Sequence, residues 1–188
     1  MNIFFDTEFT GLNKDTTLIS IGLIAENGDK FYAEFTDYDK SQIEYNDWIR
    51  ENVINNLILD DDYKYDGTLI SYSHKHIRIR DVKKNISKAL RDWLLMFDEP
   101  IDMWSDCLAY DWVLFNDLLA NYKNGYPELP KNINYIPFDI CTLFKIKGID
   151  PDISREEFVK DINIKNKHNS LYDAEIIKEC YEKLINLN

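Results

Sequence analysis

Three cysteines, five prolines and six glycines in 188 residues are too few for a disulfide-stapled, collagen-like or low-complexity chain. Cys107, Cys141 and Cys180 are odd in number and show no CxxC spacing, which argues against a disulfide framework and a structural zinc site. The most apolar stretch, Ile19 to Ala25, falls far short of the ~20 residues a bilayer span requires. The N-terminus reaches Asp6 with neither a basic n-region nor an apolar h-region. These absences predict a cytoplasmic protein with no membrane partner. Base is scarce too: 22 Lys plus Arg face 34 Asp plus Glu, a net charge of −12 that repels polyanions at long range.

What is present is a chain with 45% hydrophobic and 30% charged residues, enough apolar surface for one core over residues 1–188. The charge is uneven. Between His74 and Arg91, the bases Lys75, Arg78, Arg80, Lys83, Lys84, Lys88 and Arg91 meet only Asp81, a local +6. The surplus acid elsewhere is either a solvated surface or a cluster neutralised by metal ions.

The pattern opens with three strands: Ile3 to Phe5 ending at Asp6, Leu18 to Ala25, and Phe31 to Phe35 after the hairpin signal Asn27-Gly28. Ile43 to Leu57 favours a short helix, and Leu59 to Tyr72 reads as an irregular insertion. Val82, Ile86, Ala89, Leu90, Trp93, Leu94 and Phe97 recur at helical spacing, with Lys83, Lys84, Lys88 and Arg91 off the stripe. Pro100 ends that helix. Ile101 to Ser105 reads as a buried strand, Tyr110 to Tyr122 as a helix, Tyr135 to Ile140 as a last strand, and a C-terminal helix follows from about Ser170. The order implies an α/β sheet with an antiparallel hairpin on one side and parallel strands beyond.

Asp6 and Glu8 lie two apart at a strand end, so both side chains share one face at the carboxyl edge, where ligands of α/β sheets bind. Such pairs are common in so acidic a chain, but a carboxylate entered by three apolar residues needs a partner. Asp111 shares its helix stripe with Phe115, Leu118 and Leu119 and therefore points inward, although an acid near a helix start is ordinarily a cap. Asp106 is a nearby competitor. Asp173 shares a face with Ile177, while Ser170 with Asp173 matches a capping box. His168 converges with Asp173 only from a loop before that helix, which Lys165, Asn166 and Lys167 make plausible. His74 and His76 read as surface residues. Together these residues suit two metal ions ~4 Å apart, which lower the pKa of an attacking water and neutralise charge in phosphodiester hydrolysis, with a neutral His as general base.

Phe4 to Leu12 (FFDTEFTGL), Ala109 to Phe115 (AYDWVLF) and His168 to Asp173 (HNSLYD) resemble the three exonuclease motifs of the DEDDh group, in the DnaQ-like, RNase H-like superfamily. The resemblance implies a mixed five-stranded sheet flanked by helices, two Mg²⁺ or Mn²⁺ ions, and 3′-to-5′ release of nucleoside 5′-monophosphates. Asp6, Glu8, Asp111 and Asp173 match its metal-binding acids and His168 its general base. Thr7, Phe9, Thr10, Gly11 and Leu12 fall in the segment that lies against the terminal nucleotide in relatives such as oligoribonuclease and RNase T. Thr17 to Phe35, Trp48-Ile49-Arg50 and Met103 to Asp111 are similar to small stand-alone bacterial and phage 3′-to-5′ exoribonucleases. The departures are Leu59 to Tyr72 and Asn124 to Asn134. The implied partner is single-stranded RNA or an RNA 3′ end, with single-stranded DNA, a non-catalytic nucleic-acid-binding role, and a homodimer as further readings. The basic segment is the candidate phosphate contact or, alternatively, solubilising charge.

Overall fold

The computed structural model describes residues 1–64, 76–120, 129–160 and 167–187. His74, Lys75, Tyr122, Lys165, Asn166, the later part of the 59–72 insertion and the first part of the 124–134 loop lie outside those residues. The described strands form one mixed sheet: β1 (Asn2–Phe9), β2 (Leu18–Ala25), β3 (Lys30–Phe35), β4 (His76–Asp81), β5 (Asp102–Ser105) and β6 (Phe138–Asp139), in the spatial order β4-β3-β2-β1-β5-β6. β2 runs antiparallel to β1 and β3, whereas the pairs β1/β5, β5/β6 and β3/β4 are parallel. The helices are α1 (Asp47–Asn52), α2 (Lys83–Leu94), α3 (Leu108–Leu119), α4 (Ile140–Ile146), α5 (Arg155–Val159) and α6 (Ser170–Ile185). No helix among the described residues is long and apolar enough to cross a membrane.

The alternation of β1 separates the two larger of three apolar clusters, the third being Ile19 with Ile43, Ile49 and Val53. Ile3 and Phe5 point to one face, where Ile86, Leu90 and Trp93 of α2 and Phe115 and Leu118 of α3 complete a buried cluster. Phe4 points to the other, against Phe144 of α4 and Ala174, Ile177 and Cys180 of α6. Asp6 and Glu8 continue the second face and emerge at the carboxyl end of β1, which is therefore where α6 meets the sheet.

Two small residues of β2 let α6 come that close. A Cβ on Gly22 would lie 2.3 Å from the backbone nitrogen of Leu171, inside any permitted contact. Ser20 and Ser170 share a buried 2.9 Å hydrogen bond between their hydroxyls.

Several expectations change in three dimensions. The implied five strands are six, because His76–Asp81 pairs with β3; its alternation buries Ile77 and Ile79 and turns His76 outward. Tyr135 to Ile140 is not a full strand: only Phe138–Asp139 pairs with β5, Tyr135 and Ile136 stay exposed, and Asp139 caps α4 through the backbone N–H groups of Cys141 and Thr142. The expected helix from Ile43 to Leu57 is α1 flanked by two short 3-10 turns. The capping box of Ser170 and Asp173 does not form; Asn169 caps α6 and Ser170 is its first helical residue. The cysteines are free thiols.

The basic segment is engaged with its own chain. Lys83 pairs with Asp117, Lys88 with Asp92 at 3.1 Å, Arg80 with Glu34 at 2.8 Å, and Arg91 donates to the Leu119 carbonyl at 2.6 Å. α2 packs with α3, across the sheet from α6.

Because the methyl of Gly22→Ala would meet backbone rather than a movable side chain, that substitution should destabilise the protein by about 1–3 kcal/mol or more in denaturant titrations. An unchanged denaturation midpoint would show that α6 can shift without cost.

Candidate active site

The carboxyl end of β1 opens into a cavity of about 800 Å³ whose lining includes Asp6, Glu8, Asp106, His168 and Asp173. Asp6 and Glu8 enter from β1, Asp173 from the first turn of α6, and His168 from the residue pair preceding that helix. Asp111 arrives from the opposite layer. It is fully buried near the start of α3, where Thr7 Oγ1 donates to its Oδ1 at 2.5 Å and Ser105 Oγ donates to its Oδ2. One carboxylate oxygen each from Glu8 and Asp173 and one ring nitrogen of His168 lie within 4.8 Å of one another, close enough to share a cation.

His168 is held in the left-handed region at φ 65°, unusual for a residue with a side chain. The turn aims its backbone N–H at Asp173 Oδ2, 2.9 Å away, and leaves Nδ1 3.9 Å from Glu8 Oε1. The edge of Trp48 packs on the imidazole, centroids 4.9 Å apart at 73°.

The electrostatics follow from this crowding. Burial pushes Glu8 up to about 8, helped by the charges of Asp173 and Asp111. Burial raises Asp173 to about 7, partly offset by the His168 N–H, and Asp111 to about 6, where bonds from Ser105 and Thr7 hold it down. Asp6 rises well above the ordinary carboxylate range through lost hydration and then the charges of Asp111, Asp173 and Glu8. No Lys or Arg among the described residues forms an ion pair with any of the four. His168 moves the other way: burial, then the neighbouring Lys167, lowers its pKa and keeps the ring neutral at neutral pH. Lys167 eases Asp173 by its charge without pairing with it, and buried acids with no Lys or Arg in direct contact are the donor set a hard divalent cation prefers, so these residues fit one.

Four of the five predicted chemical residues line the cavity, and Asp111 lies buried behind them, close enough for its charge to act on Asp6 and Glu8. The predicted substrate segment divides. Phe9, Gly11 and the 74% exposed Leu12 line the cavity. Thr7 contributes to the wall and commits its hydroxyl to Asp111, and Thr10 is buried and bonded to Gln42, Thr16 and Thr17.

Sequence reasoning passed over the far wall. Arg155 holds Asp106 in a two-pronged pair at 2.8 and 2.9 Å, also donates to Cys141 Sγ at 3.0 Å, and stacks on Phe144 with 4.6 Å to the ring centroid. Asp106 is therefore neutralised by a guanidinium on both oxygens, which separates it from the four crowded acids. Glu156 pairs with Lys167 at 3.3 Å across the cavity mouth. No local spacing links residues 49 positions apart; Trp48, inside a quoted segment, was the member a sequence could have offered.

Comparison with known proteins agrees with this geometry. The chain is 39% identical over 131 residues to the 3′-5′ exoribonuclease Rv2179c of Mycobacterium tuberculosis strain H37Rv, spanning 70% of this chain and 68% of that protein. The same figures hold for the 3′-5′ exoribonuclease MT2234.1 of strain CDC 1551. Among solved structures, the Neurospora crassa Pan2 catalytic unit, with protease and nuclease domains, aligns at a TM-score of 0.47 and 18% identity over 98% of this chain and 27% of that one, too distant to bear on the assignment. The model of the 3′-5′ exoribonuclease Rv2179c-like domain matches residues 1–185, and the chain belongs to that family.

Proposed function

We propose that residues 1–188 form a single 3′-to-5′ exoribonuclease domain that shortens single-stranded RNA or RNA 3′ ends to nucleoside 5′-monophosphates with two bound divalent ions, Mg²⁺ before Mn²⁺. The observation that carries this reading is the convergence of Asp6, Glu8, Asp111 and Asp173 without a basic partner, beside a neutral histidine. The family description and the names of the mycobacterial relatives support RNA as the substrate class. Those four carboxylates would hold the metal. Its chemistry in such a cage is activation of water and neutralisation of charge on the attacking and leaving oxygens.

The remaining work falls to the chain. Leu12 and Phe9, on the wall beside Glu8, offer apolar surface to a terminal base. His168 stands at the carboxylate cluster with its ring neutral, so Nδ1, the nitrogen facing Glu8, can take the proton of the attacking water. The Asp173 carboxylate, accepting the His168 N–H, keeps the imidazole over the cluster.

Incubation of 5′-labelled RNA and DNA oligonucleotides with Mg²⁺ or with chelator tests the whole reading. RNA should shorten from its 3′ end only with metal; preferential shortening of DNA would reassign the substrate, and binding without shortening would make the chain a non-catalytic module. Asp6→Asn, Glu8→Gln, Asp111→Asn and Asp173→Asn should each abolish hydrolysis while the protein stays folded, and near-wild-type turnover in two of them would overturn the assignment.

Crowded acids with raised pKa values make the folded metal-free protein bind more protons than the unfolded chain. Their contribution to stability is full below the ordinary carboxylate range and is lost as pH rises through about 6 to about 8. Thermal unfolding in chelator should therefore give a lower Tm at pH 8 than at pH 5.5, and Mg²⁺ should raise Tm most at pH 8. A metal-free Tm that climbs over that interval would contradict this electrostatic account.

His168→Ala should lower kcat by about 10²-fold to 10⁴-fold with RNA affinity retained. A change in KM alone would reassign His168 to substrate binding.

A further inference from the structure

We propose that Glu34, Tyr32, Asn56 and Asn169 form a buried positioning network that holds His168 in its working orientation. The inference rests on the reading of His168 as general base and adds residues that lie outside the cavity lining.

His168 occupies a left-handed backbone conformation that a residue with a Cβ keeps only when its surroundings impose it. Its own contacts are few: its N–H bonds Asp173, and its ring meets Trp48 and Glu8. The restraint comes from the residues on either side. Asn169, buried, caps α6 by accepting the Tyr172 N–H at 3.3 Å. Its Nδ2 donates to Tyr32 Oη and to the Asn56 carbonyl, both at 3.1 Å. On the other side, Asn56 Nδ2 donates to the Lys167 carbonyl at 2.7 Å. Backbone atoms and side chain of Asn56 thus grip both neighbours of His168, and the turn cannot relax without breaking that grip.

Both routes end on one anion. Glu34 is fully buried on β3, where its Oε1 accepts from Tyr32 Oη at 2.8 Å, from the Ile58 N–H at 2.6 Å and from the Leu59 N–H at 3.0 Å. Its Oε2 accepts from Arg80 at 2.8 Å. The Ile58 and Leu59 bonds moor the segment that carries Asn56; the Tyr32 bond orders the donor sequence Asn169 to Tyr32 to Glu34. A buried carboxylate with four donors is rigid, because releasing any donor leaves charge or dipole unsatisfied. The network therefore transfers the stiffness of the sheet to a turn that has none of its own.

A double-mutant cycle on the full chain tests this. Tyr32→Phe removes only the hydroxyl that joins Glu34 to Asn169, and Asn56→Ala removes the grip on Lys167 from a partly exposed site. Each is made in the wild type and in His168→Ala, with single-turnover cleavage of 5′-labelled RNA, KM and thermal unfolding as readouts. In the wild-type background the single-turnover rate should fall about tenfold to 10²-fold, the range a misplaced catalytic group costs, with KM within about twofold. In the His168→Ala background the same substitutions should change the rate by less than about twofold, because no imidazole remains to position. If folded Tyr32→Phe and Asn56→Ala keep the wild-type rate, or slow both backgrounds by the same factor, the network does not act through His168. If Tyr32→Phe does not fold, Asn56→Ala alone decides by the same criteria. If His168→Ala itself retains the wild-type rate, the general-base reading fails first, an outcome distinct from the other two.

Discussion

Four carboxylates forced together away from bulk water repel one another, and the architecture around them is what holds them there. None forms an ion pair with a lysine or arginine among the described residues; packing and neutral donors hold them, with the nearby charge of Lys167 easing Asp173 alone. Asp6 and Glu8 are carried by β1, a strand in the interior of the sheet whose neighbours on both sides fix its register. Asp111 is fastened by two hydroxyls, those of Thr7 and Ser105. Asp173 is fastened because α6 rests on Gly22 and Ser20, where larger side chains would force the helix outward. Apolar burial elsewhere offsets the repulsion, and a cation is the species that relieves it.

The pleat of β1 separates these tasks. Ile3, Phe5 and Thr7 face the α2 and α3 layer, so Thr7 meets Asp111 and the larger core lies behind the site. Phe4, Asp6 and Glu8 face α6, so the reacting groups open onto a cavity walled by shorter elements. The basic side chains of α2 belong to the first layer, where Lys83 pairs with Asp117 and Lys88 with Asp92, whereas Arg80 of β4 alternates with Ile77 and Ile79, points to the second face and pairs with Glu34.

On the cavity's far wall, Arg155 and Asp106 show the converse. Asp106 is a fifth acid at the site, close enough to add to the raised pKa of Asp6, yet Arg155 takes both of its oxygens. An acid so paired is a poor metal ligand, and the distinction between four carboxylates and five lies in one guanidinium 49 residues away.

The sequence by itself determined whatever depends on neighbours a few residues apart. Alternation in Phe4 to Glu8 placed two acids on one face, helical spacing turned Asp111 inward beside Phe115, and Asn27-Gly28 joined β2 to β3. The three motif segments pointed to the fold and to the five chemical residues. Local patterns mislead where two signals compete: Ile77 and Ile79 alternate as a strand inside a segment whose charges dominate its composition, and Asp139 caps a helix where an apolar run suggests continued strand. Only the tertiary structure decided which charges neutralise one another, that Asn169 rather than Ser170 caps α6, and that Glu34, Tyr32 and Asn56 reach the flanks of His168. The bonds that reach the flanks of His168 from Asn56 and Tyr32 join residues 111 and 137 positions apart, and no periodicity records a distance that chain folding alone creates.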